Sequence, residues 1–369
     1  GSDADWRIYM SYSEDDGETW SNETRVYVPN GDDVPQLYPD VEVSDLNEVY
    51  ITFMARSGDN NEEWNIELIQ YNWESKSVFN RKIINSALQS KDKFVSSQKP
   101  SLTIDKNNEL HIVWQTYIRK RFSSFDIYYA NSYDNFNKTT RINNHRIPYL
   151  KFIFENPIGS QVNPKIICDS QNRLHVVWED NLYFFRHIYY DYSEDLGNTW
   201  NQDIRVDSHT RGNPSNPEIS FDAADNIHII WEWGRYFGSR YIYYANNVEN
   251  PFDFNLMERV ESIKETYCSS PDLSITQNNN LHIVWMEKPD KWSSDWNIRY
   301  ILRKNNAENY SNASLLNYIS SGSQAFPRII SNDNVSYITW VGKDNSTFNY
   351  NLFYNKFGSS NTSISYSLP

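Results

Sequence analysis

The stretch LHIVW at residues 110–114 decides the fold because related stretches recur along the chain. They are VYITF at 49–53, LHVVW at 174–178, IHIIW at 227–231, LHIVW at 281–285 and SYITW at 336–340. Successive copies lie 53 to 64 residues apart, a period typical of repeated structural units. Each copy is short, rich in β-branched residues and ends on an aromatic, and turn clusters such as DKNNE or DSQNR precede the copies. The pattern predicts a β-strand that follows a tight hairpin.

Three more strands are predicted around each copy. A first strand lies ahead of the turn, and a third and a fourth follow, such as DIYYANS and TRIN. Proline is tolerated at the first residue of a strand, and we expect the first strands to begin at Pro39, Pro100, Pro164, Pro217, Pro271 and Pro327. Six units of four strands without a convincing helix predict an all-β fold, a β-propeller of four-stranded blades.

The chain ends raise the question of how such a ring closes. Residues 7–28 read as a third and a fourth strand with no first or second strand before them, so we expect residues 3–30 to supply the strands that close the ring. We favour six blades, with the last blade shared between the termini; seven blades, one of which lacks two strands, is the alternative. Residues 1–369 are predicted to form a single propeller domain, in which Gly1 and Ser2 resemble an expression scar.

Two turns share the pattern Ser-x-Asp-x-Gly-x-Thr-Trp, SEDDGETW at 13–20 and SEDLGNTW at 193–200. Each lies between a third and a fourth strand, where the Asp can accept hydrogen bonds from turn amides and the Gly can adopt a positive φ. The chain thereby resembles the Asp-box (BNR-repeat) propellers of the sialidase superfamily. The resemblance implies a propeller and says little about chemistry. The structural positions would be Ser13, Asp15, Gly17, Trp20, Ser193, Asp195, Gly197 and Trp200.

Composition excludes several classes of function. The net charge of −14 argues against nucleic acid, which requires a basic surface. No apolar run approaches the ~18 residues of a membrane-spanning helix. Cys168 and Cys268 have neither C-x-x-C spacing nor a neighbouring His, so we predict no metal site and no cofactor, and the sequence leaves their pairing open.

The loops between second and third strands are basic and aromatic, although the protein as a whole is acidic. Guanidinium groups bind carboxylates in a bidentate manner and sugar faces stack on aromatic rings, so this loop face predicts an anionic, ring-bearing ligand. The competing interpretation is that these aromatics pack against one another. The predicted ligand-binding residues are Arg119, Arg121, Tyr183, Arg186, Trp233, Arg235, Tyr236, Arg240, Trp292 and Trp296.

Catalytic residues are not fixed by the sequence. Glu179, Asp180, Glu232 and Glu287 follow second strands and are weak candidates for acid/base chemistry, with salt bridges to nearby arginines as the structural alternative. The complete catalytic set of a sialidase is not readable, because there is no FRIP element. Four histidines occupy one position of the repeated strand, which favours a packing role: His111, His175, His228 and His282.

These observations predict an extracellular or cell-surface recognition propeller that binds a glycan, an acidic one in particular. A glycan-cleaving enzyme, either a sialidase-like glycosidase or a polysaccharide lyase, and a protein-interaction scaffold are the alternatives, so whether the chain is an enzyme stays open. The expected partner is a glycan or a surface protein, and we expect a monomer. Seven N-x-S/T sequons are compatible with secretion.

Overall fold

The computed structural model of the chain is built from strands. It describes residues 6–26, 34–56, 63–72, 75–89, 94–119, 124–144, 159–182, 186–208, 212–234, 238–250, 253–254, 257–260, 266–289, 292–305, 307–317, 322–343, 350–358 and 364–367. Within these ranges the helical structure is one 3-10 segment at Ile84–Leu88. Nothing in the described part is a helix long and apolar enough to cross a membrane.

Backbone contacts divide the chain into two compact units. The first unit contains Gly1–Ser11 and Glu23–Ile204, and the second contains Tyr12–Asn22 and Arg205–Pro369. The earlier expectation of one propeller domain over residues 1–369 stays a prediction.

The first unit carries fourteen strands among its described residues, the last of which crosses its boundary. They are β1 (Tyr9–Met10), β2 (Thr24–Arg25), β3 (Gln36–Val43), β4 (Val49–Arg56), β5 (Trp64–Asn72), β6 (Ser77–Ile83), β7 (Val95–Ile104), β8 (Leu110–Ile118), β9 (Phe125–Asn131), β10 (Thr140–Arg141), β11 (Gly159–Cys168), β12 (Leu174–Leu182), β13 (His187–Ser193) and β14 (Ile204–Arg205).

The second unit carries twelve strands among its described residues. They are β15 (Asn213–Phe221), β16 (Ile227–Gly234), β17 (Arg240–Asn246), β18 (Met257–Arg259), β19 (Tyr267–Ile275), β20 (Leu281–Lys288), β21 (Asn297–Arg303), β22 (Ser314–Leu315), β23 (Gln324–Ser331), β24 (Val335–Lys343), β25 (Tyr350–Gly358) and β26 (Ile364–Ser367).

Hydrogen bonding joins these strands into antiparallel meanders. Strands β3–β6, β7–β10, β11–β14 and β23–β26 form four separate four-stranded sheets. Strands β15–β22 form one eight-stranded sheet, because Arg240 of β17 and Tyr267 of β19 make a single parallel pair. The strand pairing therefore does not give the six or seven separate blades that the sequence predicted.

The expected sharing of the last blade between the termini was wrong. Strands β23–β26 come from one continuous stretch, and β1 pairs only with β2 among the described residues. The hairpin β1–β2 packs instead on the face of the β3–β6 sheet, where Ile8 and Val26 are buried against Val49, Ile51 and Phe53. Burial of the hairpin's apolar side chains on a complete sheet removes any need for strands from the other terminus.

The prediction that first strands begin at proline was also wrong. Each proline lies inside its strand at a β-bulge, as the register shift between Gln98 and Ser101 around Pro100 shows. A bulge leaves its residues out of the ladder, so the missing N–H of proline costs no strand-to-strand bond. The residue before each proline adopts a positive φ of 49° to 54°: Tyr38, Lys99, Asn163, Asn216, Ser270 and Phe326.

The core lies between neighbouring sheets. The final aromatic of the repeated strand is buried in every copy: Phe53, Trp114, Trp178, Trp231, Trp285 and Trp340. Trp114 packs on Ile66 and Leu68 of the preceding sheet, and Trp340 packs on Val284 and Ile298 in the same way. The repeated motif thus supplies the large side chain at these two interfaces between sheets. Both cysteines are free thiols.

Candidate functional site

The two Ser-x-Asp-x-Gly turns are self-contained hydrogen-bonded structures. In the second turn, Asp195 Oδ1 accepts bonds from the Thr199 amide at 2.8 Å and from the Ser193 hydroxyl at 2.8 Å. The Ser193 hydroxyl oxygen in turn accepts a bond from the Gly197 amide at 2.8 Å. Gly197 has a φ of +83°, as the sequence predicted. The Asp15 turn repeats these contacts.

Each turn also closes on a tyrosine of another sheet in its own unit. A Cβ on Gly197 would collide with the hydroxyl of Tyr129, and Trp200 contacts the same tyrosine edge-on at a centroid distance of 5.2 Å. In the first turn, Gly17 and Trp20 make the same two contacts with Tyr354. Both carboxylate oxygens of each aspartate accept hydrogen bonds within its own turn, which indicates a structural role.

Three of the four repeated histidines are buried between a tyrosine hydroxyl and a carboxylate, while His282 lies near Tyr300 and Ser336. His175 Nδ1 lies 2.7 Å from the Tyr190 hydroxyl, and its Nε2 lies 3.1 Å from Asp169 Oδ2. The same arrangement recurs at His111 and at His228. Burial raises the pKa of Asp169, but bonds from His175 and Arg173 outweigh it, so that the pKa falls below its usual range. Such histidines anchor the hairpin turn and do not face a ligand.

The four candidate carboxylates are buried, and three of them face arginines. Glu179 lies 3.8 Å from the guanidinium of Arg186. Glu232 lies 3.2 Å from that of Arg240. Glu287 Oε1 accepts a bond from Arg299 Nε at 2.9 Å, and Asp180 is 1% exposed. Ion pairing therefore accounts for three of the candidates.

The predicted ligand-binding residues fall into both units. Arg121, Tyr183, Arg235 and Tyr236 lie outside the described residues. In the first unit Arg119 is exposed and its guanidinium lies over the ring of Phe94 at 4.5 Å, while Arg186 faces Glu179.

Trp233 is placed inside the second unit. It is 7% exposed and stacks on Tyr241, with Tyr243 meeting its ring edge-on. Gly212 lies against the ring so closely that a Cβ there would overlap it. Trp233 thus holds this end of β16 in place and offers little surface to a ligand.

The remaining predicted residues of the second unit form a surface with alternating rings and cations. We call Arg240, Tyr267, Lys288, Trp292 and Trp296 the tryptophan surface. Lys288 Nζ lies 4.8 Å from the ring centre of Trp296 and 5.5 Å from that of Tyr267, and the Arg240 guanidinium lies 5.6 Å from the latter. Trp296 is half-buried, whereas Trp292 is 83% exposed. Sequence reasoning missed Tyr267 and Lys288, which lie at the ends of strands and not in loops.

A second polar group on the first unit was also missed. Lys99 Nζ lies 5.4 Å from the ring centre of Tyr38 and donates a hydrogen bond to Asn163 Oδ1. The Asn163 amide nitrogen donates to Glu179, and its backbone N–H donates to Gln115 at 2.9 Å. Tyr38, Lys99 and Asn163 all precede bulge prolines, so the signal was the X-Pro dipeptide at one place in each repeat.

Two clefts of the first unit lie elsewhere, among the turns. One is lined by Tyr129, Leu196, Gly197 and Asn198, and the other by Tyr50 and Gln70 with residues of the next sheet. Both clefts lie where turns pack against neighbouring sheets, and polar groups in them form hydrogen bonds to one another.

No protein-family model and no curated protein matches the chain. Among solved structures, an ulvan lyase of a polysaccharide lyase family is similar over 88% of this chain and 81% of its own, at 12% identity and a TM-score of 0.62. The α-L-arabinanase of Penicillium chrysogenum is similar over 90% and 93%, at 14% identity and a TM-score of 0.53. The sialidase of Trypanosoma rangeli is similar over 87% and 55%, at 13% identity and a TM-score of 0.50. These similarities identify the fold as an all-β propeller, related in fold to that of sialidases.

Proposed function

We propose that this chain is a recognition propeller that binds an acidic glycan at the tryptophan surface. The observation that carries the proposal is the pair of rings Tyr267 and Trp296, which contact the cations Lys288 and Arg240. The exposed Trp292 precedes Ser293, whose carbonyl accepts a hydrogen bond from Lys288 Nζ at 3.0 Å. Glu232 pairs with Arg240 at 3.2 Å but takes only part of its donors, so the Arg240 guanidinium can still donate to a ligand beside Lys288.

The chemistry of the surface suits a sugar that bears a carboxylate or a sulfate. Apolar sugar faces pack on tryptophan and tyrosine rings, while the ammonium of Lys288 and the guanidinium of Arg240 can donate charge-assisted hydrogen bonds to an oxyanion. The aromatic neighbours hold these cations in place, each contact contributing about 0.5–2 kcal/mol. The glycan-acting enzymes that share the fold support this class of ligand.

Isothermal titration calorimetry with a glucuronate-containing oligosaccharide tests the proposal. Trp292→Ala and Trp296→Ala should each weaken binding about tenfold or more, because each removes a ring. Trp6→Ala is a matched control, since Trp6 is an exposed tryptophan of the first unit. Unchanged binding in both surface variants would rule out this site.

Glycan cleavage is the second candidate, favoured by the ulvan lyase, the arabinanase and the sialidase that share the fold. It requires a proton donor or acceptor beside the sugar, and Glu179, Glu232 and Glu287 are buried against arginines. We therefore expect no new reducing ends and no unsaturated products after long incubation with an acidic polysaccharide. Product formation that survives further purification would establish an enzyme.

A protein-interaction scaffold is the third candidate, since exposed aromatics and arginine are also typical of protein interfaces. Retention of a purified cell-surface protein, with no glycan bound, would favour it over the glycan proposal.

We also propose how the repeats are counted. Six meanders would make six complete blades, with β1–β2 as an incomplete seventh and Asp15 and Asp195 in genuine Asp-boxes. Deletion of residues 6–26 should then lower the thermal midpoint, because Ile8 and Val26 would no longer cover the β3–β6 sheet. An unchanged midpoint would contradict this count.

Residence outside the cell is part of the same proposal, with the chain acting as a monomer. The five sequon asparagines among the described residues are exposed: Asn22, Asn137, Asn309, Asn312 and Asn334. Mass spectrometry of protein passed through a eukaryotic secretory pathway should find glycans at these positions, and unmodified asparagines throughout would count against secretion.

A further inference from the structure

We propose a separate oxyanion-binding site in the first unit, centred on Lys99 with Lys165, Arg186, Asn163 and the ring of Tyr38. It lies on other strands than the tryptophan surface and does not depend on that surface. Its ligand is a carboxylate or a sulfate monoester, carried on a molecule with a ring that Tyr38 can cover.

The strands that carry this site lie side by side. The Leu102 amide of β7 donates to Asp40 of β3 at 2.9 Å, and the Ile166 amide of β11 donates to Ser101 of β7 at 3.4 Å. The bulges of β3, β7 and β11 lie at corresponding positions of the three strands, so the residues on either side of the prolines form a continuous row. Bulges re-aim side chains and are over-represented beside binding sites.

The backbone at these bulges follows the repeat. Lys99 has a φ of 51° and Tyr38 a φ of 54°, and all six residues that precede the bulge prolines agree within a few degrees. What distinguishes these two positions is their side chains, because the Lys99 ammonium contacts both Asn163 and the Tyr38 ring.

The Lys99 ammonium is half-buried and has three N–H donors. Its protein partners are Asn163 Oδ1, which accepts one hydrogen bond, and the Tyr38 ring. Among the described residues, no carboxylate lies within 4.0 Å of Lys99 Nζ, so the ammonium forms no ion pair there. The ammonium therefore keeps N–H donors that an oxyanion can accept from.

The charges around Lys99 add up in favour of an anion. Lys165 and Arg186 are both close enough to affect Lys99, and the one carboxylate in the group, Glu179, is held by Asn163 and faces Arg186. Because Glu179 faces Arg186 at 3.8 Å, no carboxylate among the described residues forms an ion pair with the Lys99 ammonium. Burial and the charges of Lys165 and Arg186 lower the pKa of Lys99, and Glu179 offsets this only in part.

The ring of Tyr38 indicates what carries the oxyanion. Tyr38 is 53% exposed although it lies on a first strand, next to the cation. An exposed aromatic beside a positive charge can stack on a sugar ring while the lysine binds its acidic group. A uronate or a sulfated sugar meets both requirements, and a free sulfate ion meets only the second.

Calorimetric titration with sodium glucuronate, methyl sulfate, inorganic sulfate and glucose tests the site. Wild-type protein should bind the three anions and not glucose, and Lys99→Gln should weaken the binding of each anion about tenfold or more. Lys106→Gln, an exposed lysine in the turn of the same repeat, should bind like the wild type. Glucuronate bound more tightly than inorganic sulfate would assign the stacking role to Tyr38.

Stability separates a binding role of Lys99 from a structural one. If the charge of Lys99 lacks an ion-pair partner because it serves a ligand, Lys99→Gln should lose anion binding. The variant should nevertheless unfold at the same temperature as the wild type or above it. Equal anion binding by wild type and Lys99→Gln would overturn the proposal. A lowered unfolding temperature with unchanged binding would show that Lys99 is structural. The difference in anion binding between proteins with Lys99 and with Lys99→Gln should persist when Trp296→Ala is added to both.

Discussion

Replacing Asp191 by Asn should remove a loss of stability that the wild-type protein shows as the pH rises from about 4 to about 7. The Asp191 side chain lies on β13 with no exposed surface, and its Oδ1 accepts a bond from the Tyr192 amide at 2.7 Å. Burial, with a smaller contribution from the negative charge of Asp203, raises the pKa of Asp191 to about 7. An Asn keeps the acceptor oxygen and cannot ionise.

The sign and size of the effect follow from proton linkage. Below pH ~3.8 Asp191 is protonated in both folded and unfolded chains, and its stabilising contribution is fully present. Between pH ~4 and 7 only the folded chain keeps the proton, so the free energy of unfolding falls as the pH rises. A rise in pKa from 3.8 to about 7, at ~1.4 kcal/mol per pH unit, corresponds to a loss of about 4 kcal/mol.

Urea unfolding of wild type and Asp191→Asn between pH 4 and pH 8 measures this loss. The difference in unfolding free energy should shift by about 4 kcal/mol in favour of the variant across this range and level off above pH 7. Asp45→Asn, at an exposed position, is the control and should show a flat difference. A flat difference for Asp191→Asn as well would refute the assignment of a protonated carboxyl at this position.

Three further predictions concern the turns and the ligand surface. Asp195→Ala removes three hydrogen bonds from its turn, so it should lower the free energy of unfolding by about 1 kcal/mol in urea titration. Glycan binding, measured by calorimetry, should be unchanged. Lost binding at full stability would show that the turn is functional. Gly197→Ala forces a Cβ onto the Tyr129 hydroxyl at a positive φ, so it should destabilise by about 2 kcal/mol or more, and an unchanged thermal midpoint would contradict the packing. Added salt should weaken binding of an acidic oligosaccharide because Lys288 and Arg240 contribute charge, and salt-independent affinity would argue for stacking alone.

The sequence predicted the repeated elements well because their signals are local. β-branched residues, a terminal aromatic and the preceding turn residues defined the second strands, and all six aromatics are buried. The positive φ of Gly17 and Gly197 also followed from the turn pattern. The bulges were missed, since a proline inside a strand becomes permissible only when the register of the partner strand shifts, and that register depends on residues far away in the sequence.

The candidate site was harder to predict because exposure is not a local property. Trp233 lies two residues after Trp231 on the same strand, so the two side chains lie on the same face of the sheet. The composition of the loop did not show this, because it does not say where the strand ends. Glu179 and Glu232 were expected near the loop face, and their arginine partners Arg186 and Arg240 were assigned to the ligand instead. Lys99 and Tyr38 were overlooked because X-Pro was interpreted only as a strand start.

A glycan array probed with the intact protein tests recognition of acidic glycans. We predict retention of oligosaccharides that carry uronate or sulfate groups, with weaker or no retention of their neutral counterparts. Retention of no glycan at all, in a preparation whose cooperative unfolding shows that it is folded, would contradict glycan recognition by this propeller.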